Sequence, residues 1–252
     1  MAPAGIGDRV EGVHPVAAAV AAGRVTRLVV EAPRLRFPEI AGLVARAREQ
    51  GVVVEIVDDV RPVAATDAPQ GVVADARPIP WADLEEAVAR TAPPALVVLD
   101  HLQDARNVGA IVRSAAAAGI RSLVVPTRRA APLDATAFKA AAGAFEQMTV
   151  AGVSSVADAV ARLRDAGVWA VGLDAAADRS LFGLDLLAEP VALVIGAEGT
   201  GLSRLVRDRL DVIASIPLAP GVESLNASVA AALAVFEVAR VRSGIPGPRD
   251  GR

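Results

Sequence analysis

From Ala95 onward the chain alternates short apolar runs with segments of helical spacing, and no other feature constrains its fold as strongly. The apolar runs predict five strands, at 95–99, 122–125, 168–173, 191–195 and 212–216. The segments around them predict helices at about 107–118, 135–142, 155–166, 203–209 and 224–242. Strands that are apolar throughout are covered on both faces, so the pattern predicts an α/β fold with a parallel sheet between helices. Ligands of such sheets bind at the carboxyl ends of strands, which directs attention to the loops after Leu99, Ile195 and Ile216.

The first part of the chain predicts a smaller α/β unit over residues 1–75. We expect helices at 16–22 and 37–50 and strands at 27–30, 52–57 and 70–74, the second of these strands being buried. Residues 76–94 carry four prolines around a short helix, and we interpret them as a linker to a second domain over 95–243. The tail, 244–252, has no apolar pattern and is predicted to be disordered.

Composition excludes several kinds of site. The chain has no cysteine, which excludes disulfides, thiolate catalysis and cysteine zinc sites and fits a cytoplasmic protein. Its two histidines, His14 and His101, are far apart in sequence, so we expect no metal site. No apolar run is long enough to predict a membrane span. The net charge of -3 argues against binding a polyanion through an overall positive field, which leaves local clusters of arginine.

The loop after Leu99 runs into Asn107-Val108-Gly109-Ala110 and, further along the same helix, Arg113. Asn107 is a good N-cap residue, and a helix start offers free N–H groups to an anion. Arg113 lies about 9 Å further along the helix axis, within reach of a phosphate bound near Asn107. The simpler alternative is an ordinary capped helix with a surface arginine.

The loop after Ile195 is rich in glycine: Gly196-Ala197-Glu198-Gly199-Thr200-Gly201-Leu202. Its spacing is G-x-x-G-x-G, which differs from the G-x-G-x-x-G of dinucleotide-binding folds. Glycines here indicate close approach of the backbone to a ligand or left-handed turns, and a tight turn alone remains an alternative. Glu198 is an unusual carboxylate in such a loop.

The third loop ends in Ser224-Leu225-Asn226-Ala227-Ser228, which places small polar groups at the start of a helix. A serine cap would explain them without a function. The helix behind them is apolar from Val229 to Val235, so we expect it to be buried or to lie in a subunit interface.

Together, and in this order, the three motifs resemble those of the SpoU (or TrmH) family of RNA 2'-O-ribose methyltransferases over about 95–240. The N-terminal part, with Gly12-Val13-His14-Pro15-Val16 and Gln70-Gly71-Val72, looks like the ribosomal-protein-like RNA-binding domain of the rRNA guanosine methyltransferases in that family. The resemblance implies a knotted, SPOUT-type parallel-sheet domain, S-adenosylmethionine as cofactor, and a homodimer with the last helix in the interface. It also implies a structured RNA as substrate, most closely a guanosine of 23S rRNA.

The resemblance further implies the site residues. The catalytic set would be Asn107, Arg113, Glu198, Ser224 and Asn226, and the cofactor set would be Leu173, Gly196, Gly201, Ile216, Leu218 and Leu225. In the family, Arg113 is the residue implicated in activating the ribose hydroxyl. Because an arginine is a poor base, stabilisation of the developing alkoxide and contact with the neighbouring phosphate suit it better.

Four arginines around the first predicted strand are candidates for binding RNA phosphates: Arg24, Arg27, Arg34 and Arg36. Solvated surface charge is the alternative. For the whole chain, the alternatives are a tRNA or antibiotic-resistance rRNA methyltransferase, or a catalytically silent RNA-binding protein of the same fold. A nicotinamide oxidoreductase is disfavoured by the glycine spacing, and His101 as a general base is disfavoured because a lone histidine at a strand end is usually structural.

Overall fold

A computed structural model of the chain describes residues 5–244 and contains two sheets. The first has four strands in the order β1-β4-β2-β3, with β2 and β3 parallel and the other pairs antiparallel. Its elements are β1 (Arg9–Glu11), α1 (Val13–Ala21), β2 (Val25–Glu31), α2 (Pro38–Glu49), β3 (Val53–Val57) and β4 (Val72–Ala76). The predicted N-terminal α/β unit is therefore present.

Two details of this unit differ from expectation. The strand predicted as buried, now β3, is an edge strand, and Val53 and Ile56 are 60% and 39% exposed. Its run of valines is compatible with either position, because β-branched residues suit exposed and buried strands alike. The short strand β1 was not predicted, since three residues carry too little periodicity to recognise.

The second sheet has six parallel strands in the order β10-β8-β9-β5-β6-β7. The strands are β5 (Ala95–Asp100), β6 (Ser122–Pro126), β7 (Thr149–Val153), β8 (Trp169–Leu173), β9 (Val191–Gly196) and β10 (Val212–Ala214). The helices are α3 (Leu84–Ala89), α4 (Ala105–Ala117), α5 (Ala135–Ala140), α6 (Val156–Asp165), α7 (Arg204–Arg207) and α8 (Ala227–Arg242). All five predicted strands are present, and apolar cores lie on both faces of the sheet.

Strand β7 was not predicted. It lies at the edge of the sheet and contains Thr149 and Gly152, which interrupt the apolar run that identifies the other strands. Gly152 is required there, because a Cβ atom would lie 2.9 Å from the Trp81 ring.

The segment interpreted as a linker, 76–94, is packed against both sheets. Its first residue belongs to β4, and Ile79 pairs with Ile6 through backbone hydrogen bonds of 2.8 and 2.9 Å. Helix α3 starts at a capping box formed by Asp83 and Glu86 and packs on β6 and β7. The two-domain division stays a prediction, and the structure adds that the proline-rich segment is built into the fold.

The two parts of the chain share one continuous apolar core. Gly7 lies against the ring of Phe138, where a Cβ atom would approach the ring to 2.1 Å. Phe138 in turn stacks on Phe145 at 4.3 Å between ring centres. Arg24 adds a two-pronged ion pair to Glu146, at 2.8 and 2.5 Å, and both side chains are mostly buried. The N-terminal unit is therefore held firmly against the larger sheet.

Within residues 5–244, no helix is both long and apolar enough to cross a lipid bilayer. The tail predicted to be disordered, 244–252, lies outside the described residues except for Gly244.

Candidate active site

The three loops singled out in the sequence meet at the carboxyl edge of the six-stranded sheet. The second and third of these loops, together with the residues after β8, line a cavity of about 540 Å³, which lies within the range of pockets that hold drug-sized ligands. The six residues predicted to hold a cofactor all line it: Leu173, Gly196, Gly201, Ile216, Leu218 and Leu225. Glu198, Ser224 and Asn226, from the predicted catalytic set, line it as well.

The glycine-rich loop after β9 folds back on itself to form one wall of the cavity. Ala197 and Gly201 exchange two backbone hydrogen bonds, of 3.1 and 2.8 Å. A Cβ atom at Gly196 would lie 2.3 Å from the Gly201 carbonyl carbon, so only glycine fits there. Gly199 and Gly201 have φ of 76° and 66°, the left-handed backbone that glycine adopts without strain.

Helix α4 starts earlier than predicted, at Ala105, and its N-cap is Asp104, which accepts from the Arg106 amide at 2.8 Å. The prediction that Asn107 caps this helix is wrong, because an aspartate three residues earlier already does so. The side chain of Asn107 is thereby released for other contacts. It donates to the Glu198 carboxylate and accepts from Nδ2 of Asn226 at 3.2 Å.

Helix α8 starts later than predicted, at Ala227, and its N-cap is Asn226, so Ser224 precedes the helix. Oδ1 of Asn226 accepts from the Ser228 amide at 2.9 Å and from the Ser228 hydroxyl at 2.6 Å. A chain of hydrogen bonds therefore runs from Glu198 through Asn107 to Asn226 and Ser228. It joins one residue from each of the three loops beside the cavity.

Arg113 lies on the exposed surface of α4 and outside the lining of the cavity. Among the described residues it has no hydrogen bond or ion pair. Its guanidinium is therefore available to a ligand, and its removal would break no hydrogen bond or ion pair among residues 5–244.

Asp174 also lines the cavity and was missed by the sequence analysis. The Ala176 amide donates to it at 2.8 Å and Arg207 pairs with it, and these contacts lower the pKa of the carboxyl against the effect of burial. Glu198 is therefore the carboxylate of the cavity lining that has no cationic partner among the described residues. The position of Asp174 directly after a predicted strand was the available signal.

His101 is held by Asp100 beside the cavity, outside its lining residues. Nδ1 of His101 lies 2.7 Å from the buried carboxylate of Asp100, whose other oxygen accepts from the Ser203 amide at 2.6 Å. Asp100 therefore holds both the loop after β5 and the end of the glycine-rich loop in place, which is a structural role.

The four arginines proposed to bind RNA are in different situations. Arg24 is engaged with Glu146, and Arg27 pairs with Glu55 at 2.7 Å, which lowers the pKa of that carboxyl. Arg34 and Arg36 have no ion pair among the described residues and lie 5.8 and 4.9 Å from the centre of the Phe37 ring. Of the four, Arg34 and Arg36 are therefore the ones whose guanidinium groups can bind a phosphate without breaking an ion pair among the described residues.

No group of histidine, aspartate and glutamate residues in the described part of the chain could hold a metal ion.

Comparison with known proteins matches two family models. Residues 94–236 match the SpoU rRNA Methylase family, and residues 9–82 match the RNA 2'-O ribose methyltransferase substrate binding family. The second match ends inside the segment that we interpreted as a linker.

Two mycobacterial relatives are each named an uncharacterized tRNA/rRNA methyltransferase. The protein of Mycobacterium avium is 38% identical over 94% of this chain and 78% of its own length. The protein of Mycobacterium ulcerans is 42% identical, and the match spans 79% of this chain and 66% of that protein.

Among solved structures, the SpoU methyltransferase AviRb from Streptomyces viridochromogenes is 30% identical and superposes with a TM-score of 0.78, covering 94% of this chain and 90% of AviRb. AviRb was also solved in complex with the cofactor AdoMet, at 31% identity to this chain. The predicted SPOUT-type fold and the predicted cofactor of the family, S-adenosylmethionine, are confirmed. The chain belongs to the SpoU family of RNA methyltransferases.

Proposed function

We propose that this chain transfers a methyl group from S-adenosylmethionine to a ribose 2'-hydroxyl of structured RNA, most specifically a guanosine of 23S rRNA. The observation that carries the proposal is the hydrogen-bonded chain from Glu198 through Asn107 to Asn226 beside the cavity. It unites the three motifs on which the family resemblance rests.

The cavity fits S-adenosylmethionine. Leu173, Ile216, Leu218 and Leu225 supply apolar surface for an adenine, and the glycine-rich loop offers backbone groups for its polar edge. The carboxylate of Glu198, which has no cationic partner among the described residues, suits a molecule that carries a sulfonium and an ammonium. The cofactor supplies a methyl group activated on that sulfonium.

Arg113 is the residue we propose to act on the acceptor hydroxyl. Displacement at a methyl group needs the hydroxyl aligned and stripped of its proton, and alignment alone can supply much of the acceleration. A permanently charged guanidinium stabilises the developing alkoxide and can hold the neighbouring phosphate, which accepts the proton. Its lack of a hydrogen-bonding or ion-pair partner in the described part of the chain supports this role.

Asn107 and Asn226 are proposed to position the ribose, and Glu198 to hold Asn107. A carboxylate that accepts from the Asn107 amide fixes which way that amide points.

The substrate class rests on the N-terminal unit. Its match to the substrate-binding family supports RNA as substrate. Arg36 is exposed and Arg34 is half-buried, and neither has an ion pair among the described residues, so both guanidinium groups can contact phosphates. We favour ribosomal RNA over tRNA because this unit resembles the domain of the rRNA enzymes. A substrate of this kind places the protein in the cytoplasm.

We also propose a homodimer through α8. Three large apolar side chains on this helix, Val229, Leu233 and Phe236, are 47%, 38% and 51% exposed. Their spacing of four and three residues puts them on one face of the helix. An exposed apolar stripe of this kind is typical of a protein interface.

The direct test is transfer of a labelled methyl group from S-adenosylmethionine to unmodified rRNA and tRNA, followed by alkaline hydrolysis. Methylation of a 2'-hydroxyl blocks cleavage of the adjacent phosphodiester, so we expect the label in an alkali-resistant dinucleotide from 23S rRNA. Label in tRNA would correct the substrate, and label on a base would contradict the proposed chemistry.

A further inference from the structure

Two adjacent arginines at the carboxyl edge of the six-stranded sheet have side chains without a partner among residues 5–244. Arg128 and Arg129 follow β6 in the loop that leads to α5, and both are exposed. Neither makes a side-chain hydrogen bond or an ion pair with any described residue. The nearest carboxylate along the chain, Asp134, caps α5 by accepting from the Thr136 amide at 2.9 Å.

The loop that carries them is held in a fixed position. The side-chain amide of Gln103 donates to the Arg129 carbonyl at 2.8 Å and to the His101 carbonyl at 3.0 Å. The Ala131 amide donates to the Leu102 carbonyl at 2.7 Å. Arg129 and His101 have φ of 55° and 60°, a left-handed backbone that non-glycine residues adopt only where their surroundings impose it.

These contacts place the two arginines next to the proposed active site. Gln103 lies one residue before Asp104, the N-cap of α4, so the clamped loop adjoins the helix start that carries Arg106 and Asn107. Arg106 is likewise exposed, and among the described residues its side chain has no partner. In the sheet, β6 is two strands from β9, a separation of about 10 Å at the usual strand spacing.

On its other side, the loop leads toward the N-terminal unit. It enters α5, which packs on β1, and Lys139 of α5 donates to the Ala68 carbonyl in the loop before β4. The unpaired arginines therefore lie between the substrate-binding unit and the cavity. Proteins commonly bind the phosphates of a nucleic acid through a row of unpaired guanidinium groups.

We propose that Arg106, Arg128 and Arg129 form a phosphate-binding track that leads the RNA from the N-terminal unit to the cavity. This proposal rests on the proposed function, since it assigns the surface by which the same substrate is held. Arg24 and Arg27, which were predicted to bind RNA, form ion pairs within the protein. In this proposal, part of the RNA affinity comes instead from arginines of the catalytic part of the chain.

The test compares the wild-type protein with the full-length double variant Arg128→Gln/Arg129→Gln. The probe is rRNA from a strain that lacks this gene. RNA affinity is measured over a salt series, and S-adenosylmethionine affinity by calorimetry. Each lost phosphate contact lowers the slope of log affinity against log salt by somewhat less than one, so the slope should fall by about 1.5. At 0.1 M salt the RNA should bind at least about 10-fold more weakly.

The matched control is Arg90→Gln/Arg162→Gln, which removes two exposed arginines from the opposite helical layer. It should leave both the slope and the affinity unchanged, and neither variant should alter cofactor binding. If the wild-type protein methylates the RNA but the double variant keeps its affinity and slope, the track is refuted while the proposed function stands. If the wild-type protein neither binds nor methylates rRNA or tRNA, both proposals fail.

Discussion

Asn107 can join two loops because an amide side chain donates and accepts at the same time. Its nitrogen donates to Glu198, and its oxygen accepts from Asn226. An aspartate at this position would present a second carboxylate to Glu198, and an alanine would leave both partners unsatisfied. The residue type is thus set by its position between an acceptor and a donor.

Arg113→Ala should lower kcat by about 100-fold or more, the scale typical of one group acting in proton transfer. The affinity for S-adenosylmethionine should not change, because Arg113 lies outside the cavity. Its lack of partners in the described structure means that the melting temperature should not change either. Steady-state kinetics and calorimetry test this, with Arg90→Ala, another exposed arginine, as control. Loss of cofactor affinity in a folded Arg113→Ala protein would contradict the assigned role.

Gly196→Ala should abolish cofactor binding. The added methyl group would lie 2.3 Å from backbone atoms of Gly201 and would push the glycine-rich loop out of the cavity wall. Gly42→Ala is the control, because its Cβ has nothing within 4 Å and alanine favours the helix in which it lies. Calorimetry should show no binding for the first variant and normal binding for the second. Normal cofactor affinity in Gly196→Ala would show that this loop does not form the site.

The sequence predicted which of the candidate residues lie together better than it predicted their contacts. The six cofactor candidates line one cavity, because a family resemblance identifies the positions of motif residues along the chain. The resemblance does not identify the partner of each side chain. Arg24 was predicted to be a surface cation, yet it pairs with Glu146, which is 122 residues away. No local pattern reports a partner at that distance.

Helix α8 presents two apolar faces, which explains why its sequence has almost no polar periodicity. Ala231, Ala234 and Val235 face the core, whereas Leu233 and Phe236 are exposed. The apolar run 229–235 was predicted to be buried or interfacial, and the structure buries only part of it, leaving Val229 and Leu233 exposed. The exposed face is the one that we propose to form the dimer interface.

Phe236→Asp should convert a dimer into a monomer. A charge in an apolar interface loses its hydration without gaining a partner, which opposes association. Light scattering at micromolar concentration should give twice the chain mass for the wild-type protein and the chain mass for the variant. Leu205→Asp, at a large apolar residue outside α8 that is 69% exposed, should leave the mass unchanged. A monomeric and active wild-type protein would refute the proposed dimer.

Glu237 should contribute stability that depends on pH. It is 5% exposed on α8, and its carboxylate accepts from Arg240 at 2.7 Å and from the Gly183 amide at 3.0 Å. These contacts lower its pKa in the folded state, the hydrogen bond from Arg240 having the largest effect. Because the folded-state pKa is below the unfolded one, the contribution is complete above the unfolded value of about 4.3 and is lost as pH falls through the folded value.

Glu237→Gln should therefore lower the free energy of unfolding at pH 7 by about 1.5–3 kcal/mol, the scale of a hydrogen bond to a charged group. The difference should shrink below about pH 4. Glu85→Gln breaks an exposed ion pair and should change the free energy of unfolding much less than Glu237→Gln. Urea unfolding of the three proteins over pH 3–7 measures this. A difference that stays constant over the pH range would contradict the account.

Element boundaries were less predictable than element order. The start of α4 moved because Asp104 is an equally good cap, and β7 was missed because its glycine and threonine weaken the apolar signal. Strands in the centre of the sheet were predicted well, since burial on both faces requires a continuous apolar run.

At the scale of the whole molecule, the sequence separated two parts that the structure packs together. Prolines in 76–94 suggested a loose connection, but this segment completes the first sheet and covers the second. Prolines limit backbone conformation and say nothing about burial. A firm junction allows the N-terminal unit to hold an RNA at a set distance from the cavity, which is what a targeting unit requires.

The most direct test of the central claim is a map of ribose methylation in rRNA and tRNA from strains with and without this gene. We predict that one 2'-O-methyl group disappears from 23S rRNA when the gene is deleted. The wild-type gene should restore it, and a gene encoding Arg113→Ala should not. If every ribose methyl group persists in the deletion strain, or if a base methylation is lost instead, the account of this protein as a 2'-O-methyltransferase is contradicted.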